Sequence, residues 1–193
     1  MMLLAVALAT VAAAAALPTN DPQSLSKLRM IAQCAVKGDS QRVVRLLRSN
    51  YNQVNEREDL RDQARDQSRC LGEGRLRFTP LVYRGALAEM MLSARPADLG
   101  AAVKADGLPL KAFGALDVMA LCAVREDPAG VGALFATQPG SAGENQAIAA
   151  LSPALGGCLK SGVQANVNAV AIRSLLAVAA WRIADRAAHP KSY

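Results

Sequence analysis

Four cysteines constrain this chain more than any other feature. Cys34 and Cys70 stand 36 residues apart, Cys122 and Cys158 stand 36 apart again, and the second pair follows the first at an offset of 88. Their neighbours share the offset. Met30-Ile31-Ala32-Gln33-Cys34-Ala35-Val36-Lys37 aligns with Val118-Met119-Ala120-Leu121-Cys122-Ala123-Val124-Arg125, Asp39 with Asp127, Val43 with Val131, Leu46 with Leu134 and Glu56 with Glu144. After one inserted residue, Arg84, Leu87 and Ala88 meet Arg173, Leu176 and Ala177. Self-similarity at a fixed period is the mark of a repeated structural unit. Four cysteines allow three pairings. Duplication favours Cys34–Cys70 and Cys122–Cys158, because a single ancestral unit would have closed its own bridge. Loops of this length are worth roughly 3–4 kcal/mol each in the chain-entropy model. With no Cys-x-x-Cys pair and no nearby His, neither a zinc site nor a redox thiol pair is expected.

Disulfides need an oxidising compartment, and the first residues agree. Leu3 to Ala16 carries no charge, ends in an alanine run and leads into Leu17-Pro18-Thr19-Asn20-Asp21. Small residues before a polar, proline-containing segment suit signal peptidase, with cleavage after Ala16 or Ala14. Met1 and Met2 supply no positive n-region. An uncleaved anchor is the competing reading, but a span needs roughly 20 mostly apolar residues and this run is shorter. The remaining chain is expected to be exported, periplasmic or secreted, with no membrane span.

Alanine accounts for 39 of the 193 residues and aromatics for only 4%. Such a composition favours close-packed helices, and no stretch alternates at period two for long enough to argue a sheet. The expected fold is all-α, with two tandem four-helix repeats. Residues 1–16 form the signal, 17–95 the first repeat, 96–109 a linker and 110–193 the second repeat. First-copy helices are predicted at Leu25 to Lys37, Asp39 to Arg48, Asn55 to Arg69 and Thr79 to Ser93. A short linker helix spans Pro96 to Lys104. In the second copy, Leu110 to Arg125 is helical, and Asp127-Pro128 offers an N-cap and N1 proline. Ser141-x-x-Glu144 is a capping box for a helix running to Leu155, which Gly156-Gly157 stops. Asn166 or Asn168 caps a long final helix containing Ile172, Leu176 and Ile183.

Cys122-Ala123-Val124, Asp127-Pro128 and Cys158-Leu159-Lys160-Ser161-Gly162 are similar to motifs in uncharacterised exported proteins of alphaproteobacteria. The chain resembles this group over both repeats. The resemblance implies an extracytoplasmic setting and brings no activity with it.

Chemistry is sparse. The only histidine is His189, near the end of the chain, where a general base is poorly held. Gly72-Glu73-Gly74-Arg75 lacks the preceding strand and following Gly-Lys-Ser/Thr of a phosphate loop and reads as a helix-ending turn. No catalytic residue, metal or cofactor is assigned. Charge is more informative: of the net +6, Asp21 to Arg95 carries +5. Arg57, Arg61, Arg65 and Arg69 recur every four residues beside Glu58, Asp62 and Asp66. They form either a solvated helix face laced with Glu58–Arg61, Asp62–Arg65 and Asp66–Arg69 pairs or a surface for an anionic partner, continued by Arg75, Arg77 and Arg84. In the second copy the four arginines become Asn145, Ala149, Pro153 and Gly157. The apolar segment Gln146 to Leu151 is expected to be buried, and Trp181 to sit at the core. Few aromatics, modest charge and export argue against nucleic acid. The leading function is a non-enzymatic module binding a protein or an anionic envelope component. Its alternatives are a hydrolase or transferase with carboxylates between the repeats, and a structural or stress-protective role.

Overall fold

The computed structural model describes residues 21–50, 52–71, 77–94, 98–106, 109–159 and 167–192. The signal segment and the glycine-rich stretch at 72–75 lie outside them. All described regular structure is helical: α1 Pro22–Gly38, α2 Ser40–Arg48, α3 Val54–Asp66, α4 Pro80–Ala94, α5 Leu99–Ala105, α6 Ala115–Glu126, α7 Pro128–Ala136, α8 Ala142–Cys158 and α9 Ala169–Ala188. Short 3-10 turns follow α3 at Ser68–Leu71 and α9 at Pro190–Ser192.

Local chemistry sets the boundaries. Asp39 ends α1 and begins α2: its N–H donates to Ala35 O, and its carboxylate accepts from the Arg42 N–H. Asp127 does the same 88 residues later, with Ala123 O and the Gly130 N–H. Ser49 and Thr137 return their hydroxyls to Leu46 O and Leu134 O, closing α2 and α7 alike. Asn168 caps α9 through the Ala171 N–H, and Ser141 caps α8 through the Glu144 N–H. These bonds satisfy donors and acceptors that a helix end leaves without an intrahelical partner.

The centre is α4 packed along α9, with α1 on the outer side of α4 and α6 on the outer side of α9. Gly85 and Ser174, 89 residues apart, meet there: a methyl group built at Gly85 would collide with Cα and Cβ of Ser174. Helices approach this closely only where small side chains face each other. Around this pair lie two apolar clusters. Ile31, Leu47, Tyr83 and Leu87 belong to one, and Leu121, Leu134, Leu176 and Ile183 to the other. Helix α9 feeds both, and Trp181 is buried in the first. The disulfides Cys34–Cys70 and Cys122–Cys158 tie α1 to the turn after α3 and α6 to the last residue of α8.

Three expectations need correction. Leu110 to Gly114 is not helical, because Arg182 takes the Lys111 carbonyl and Asp117 takes the Phe113 N–H, pinning that backbone. Helix α8 runs through Gly156 and Gly157. Each glycine costs about 1 kcal/mol against alanine, offset by burial of Leu155 and Cys158 and by the bridge to α6. The segment Gln146 to Leu151 is not buried as a block: Gln146, Ala149 and Ala150 are exposed, and Leu151 alone is fully buried. Helix α8 packs on α6, α7 and α9, so its remaining face meets solvent.

Replacing Gly85 with Val forces α4 away from α9. Overpacking of this kind costs roughly 1–3 kcal/mol, and the urea midpoint is expected to fall accordingly. An unchanged midpoint would mean that the two helices part freely at this point.

Candidate functional site

The cationic stripe reaches solvent. Arg57, Arg61, Arg65, Arg69 and Arg77 are all exposed, while Arg75 lies outside the described residues. Of the three expected i,i+3 pairs only Asp62–Arg65 forms, at 2.9 Å. Asp66 turns instead to Arg42 on α2, at 2.8 Å. Among the described residues, Arg57, Arg61 and Arg69 have no carboxylate at ion-pair distance. Arg84 does not extend this surface. It is 1% exposed, and its guanidinium donates to Leu47 O at 2.6 Å and Ser49 O at 2.8 Å, closing the end of α2.

Arg173 repeats that arrangement. It donates to Phe135 O at 3.4 Å and Thr137 O at 3.1 Å, the residues 88 beyond Leu47 and Ser49, and also to Leu134 O. Its remaining donors reach two carboxylates. Nε and one Nη hold both oxygens of Glu89 on α4, at 2.7 and 2.9 Å, and the other Nη holds Glu144 Oε1 on α8 at 3.2 Å. Glu144 Oε2 accepts the Gly140 N–H at 2.7 Å. The carboxylates raise the Arg173 pKa above its ordinary value against the opposing pull of desolvation. Elsewhere, Arg182 holds Asp117 at 2.9 Å and lies over the Phe113 ring, and Arg125 and Arg186 share Asp106.

Glu89 and Glu144 are carboxylates between the two halves, as is Asp185 opposite Arg48, and all four oxygens of the two glutamates are engaged by donors. A general base needs an oxygen facing substrate. The adjoining cavity, lined by Leu25, Leu28, Val82, Ala86 and Val170, holds only about 30 Å³, room for one or two waters. This cluster works as a clamp between α4, α7, α8 and α9. Among the described residues no group of three or more His, Cys, Asp or Glu could hold a metal ion, and all four cysteines are bridged. No described helix is long and apolar enough to cross a membrane.

A larger concavity lies elsewhere. A groove of about 840 Å³ runs between α1, α2, α4 and α9. Val36, Val44, Met91 and Trp181 form its apolar floor, with Lys37, Arg45, Arg48 and His189 along the rim. Arg48 is tied to Asp185 at 2.7 Å, and His189 Nδ1 lies 3.2 Å from the same carboxylate. Lys37 and Arg45 are exposed and have no carboxylate at ion-pair distance among the described residues. Sequence reading missed this groove because its lining comes from four helices spread over residues 36 to 189. The only local signal was a Lys or Arg at the ends of α1 and α2.

No family model, curated protein or solved structure matches this chain.

Removing the clamp is expected to be costly. Arg173→Met strands two buried carboxylates and lowers stability by about 3–5 kcal/mol. Arg84→Met, which removes the donors to the Leu47 and Ser49 carbonyls, lowers it by about 1–3 kcal/mol. Urea unfolding of both variants gives the order, and a reversal would remove the clamp from its central place. Tyr83 supplies a pH test. Burial holds its phenol above the ordinary value, and the hydroxyl donates to buried Gln63. The folded state thus keeps a proton that the unfolded state releases above about pH 10. Stability is complete below that pH and falls as pH rises past it. Tyr83→Phe should flatten the alkaline limb; an identical limb in the variant would assign the loss to other groups.

Proposed function

We propose that this chain is a non-enzymatic helical module of the periplasm or the secreted fraction, which binds an anionic envelope component. Two disulfides without a free thiol support an oxidising compartment. In this reading the segment up to Ala16 is a signal peptide. The halves descend from one duplicated unit, as in the exported alphaproteobacterial proteins the chain resembles. The matched cap bonds at positions 88 apart, and the clamp arginines 89 apart, support that descent.

The observation that carries the function is a contrast among arginines. Those inside the fold are matched with acceptors: Arg173 with Glu89 and Glu144, Arg182 with Asp117, Arg186 with Asp106. On the α3 surface, Arg57, Arg61 and Arg69 are exposed and lack an ion-pair partner among the described residues. Unpaired cations on one face are the electrostatic footprint of an anionic partner. Their counterparts in the second half, Asn145, Ala149 and Gly157, are uncharged, so the surface belongs to the first half alone.

The test compares the oxidised protein with an Arg57→Gln/Arg61→Gln/Arg69→Gln variant. Flotation with anionic phospholipid vesicles and retention on an anionic glycan resin are the two readouts. Each cation near an anionic surface contributes about 1 kcal/mol, so the variant should bind roughly a hundredfold more weakly. Retention of the wild type should also fall with salt. Equal binding by the two proteins, or binding by neither, rejects the reading.

A further inference from the structure

The second half contains a built example of a filled groove. Helix α5 lies against α6, α7 and α9, with Ala102 buried and Leu99 and Val103 packed on the second apolar cluster. Its C-cap residue Asp106 ends in a fully buried carboxylate, paired with Arg125 on α6 and Arg186 on α9. Beside α5, the surface left open is lined by Pro128, Ala129 and Gly132 of α7 and by Leu92 of α4.

The internal offset carries these positions onto the first half. Pro128, Ala129 and Gly132 correspond to Ser40, Gln41 and Val44 on α2, Leu92 corresponds to Trp181 on α9, and Arg125 corresponds to Lys37. All five of these counterparts, four from the first half and Trp181 from α9, line the large groove. The two concavities are thus counterparts. One is walled on one side by the chain's own linker helix, through Asp98, Leu99 and Gly100, and no described element takes that place in the other.

We infer that the first-half groove is the docking site for a short amphipathic helix of another protein, with the chemistry of α5. Its apolar side chains, spaced three to four residues apart, would lie on Val36, Val44, Met91 and Trp181. An acidic residue at its C-terminal end would pair with Lys37, as Asp106 pairs with Arg125, and Arg45 adds to the positive rim. Charge complementarity and the seated α5 both point to this occupant. This is a helix-in-groove mode of recognition. The site does not use the α3 arginines, so it stands or falls separately from the reading above.

Trp181 is the only tryptophan in the chain and lines the groove, so its emission reports occupancy directly. The probe is a synthetic peptide carrying the sequence of residues 98–106 with Ala101→Lys and Ala105→Glu, made helical by a lactam between these two side chains, at positions that are exposed in α5. Titration into the full oxidised protein should give a saturable change in Trp181 emission, and a scrambled peptide should give none. Lys37→Glu should weaken binding by about tenfold or more. Replacing the peptide's final Asp with Lys should recover it on that variant. Circular dichroism of Lys37→Glu guards against a misfolded protein being read as a lost contact. Equal responses to the scrambled peptide, an unaltered affinity for Lys37→Glu, or no response at all overturn the inference. So does a groove that answers only to a long-chain fatty carboxylate, or one occluded by a second copy of the chain in sedimentation.

Discussion

An arginine taken out of water brings five N–H donors that all need acceptors, and much of this fold is arranged to supply them to Arg173. Three come from the carbonyl end of α7. Glu89 arrives from α4 in the other half, and Glu144 from the first turn of α8. Glu144 is in place because Ser141 caps α8 through the Glu144 N–H. A local capping choice therefore positions a charge that holds two halves together. Desolvation of one guanidinium and two carboxylates costs several kcal/mol per ion, so the cluster need add little net stability. It does penalise any arrangement in which α4 and α9 slide, because sliding leaves charge buried without a partner.

That restriction matters in a core made largely of alanine and leucine. Small side chains allow many near-equivalent helix packings, and few large shapes lock a register. Here register is held at three kinds of point. Gly85 against Ser174 allows a close crossing of the central helices at one height only. Buried arginines peg helix ends to their neighbours. The disulfides join α1 and α6 to the ends of the third-helix segments, shrinking the unfolded ensemble. Tyr83 bonded to Gln63 adds a polar peg in the first half. Leu151, 88 residues beyond Gln63, is an apolar side chain buried in the second cluster.

Features written in adjacent residues were legible in the sequence. Asp39, Asp127-Pro128, Ser141-x-x-Glu144 and Asn168 open helices where their chemistry indicates, and the cysteine spacing matches the bridges that form. What depends on distant partners was not legible. Arg84 reads as a surface cation because an isolated arginine is almost never buried, and the carbonyl end of α2, distant in sequence, accepts its guanidinium. Gly156-Gly157 reads as a stop because glycine favours helix ends. Yet α8 is carried onward by Leu155 and Cys158, which pack inward. One clue to Arg84 was available. It keeps an arginine counterpart at Arg173, whereas every member of the α3 stripe loses its charge in the second half. A cation kept at equivalent positions of two halves suggests a shared internal contact. One kept in a single half suggests something outside the chain.

The same logic locates what is asymmetric. Helix α5 can wall only one of the two concavities, because a linker passes between the halves once. The concavity beside it carries no cation at the corresponding α7 positions, where Ala133 and Ala136 stand in place of Arg45 and Arg48 of α2. The open groove keeps those arginines above a floor that includes Trp181. The groove lies beside the half that also carries Arg57, Arg61 and Arg69, which have no ion-pair partner among the described residues. Both departures from internal symmetry thus fall on the first half. The second half is joined to α5 through Asp106 and to α4 of the first half through the Arg173 clamp.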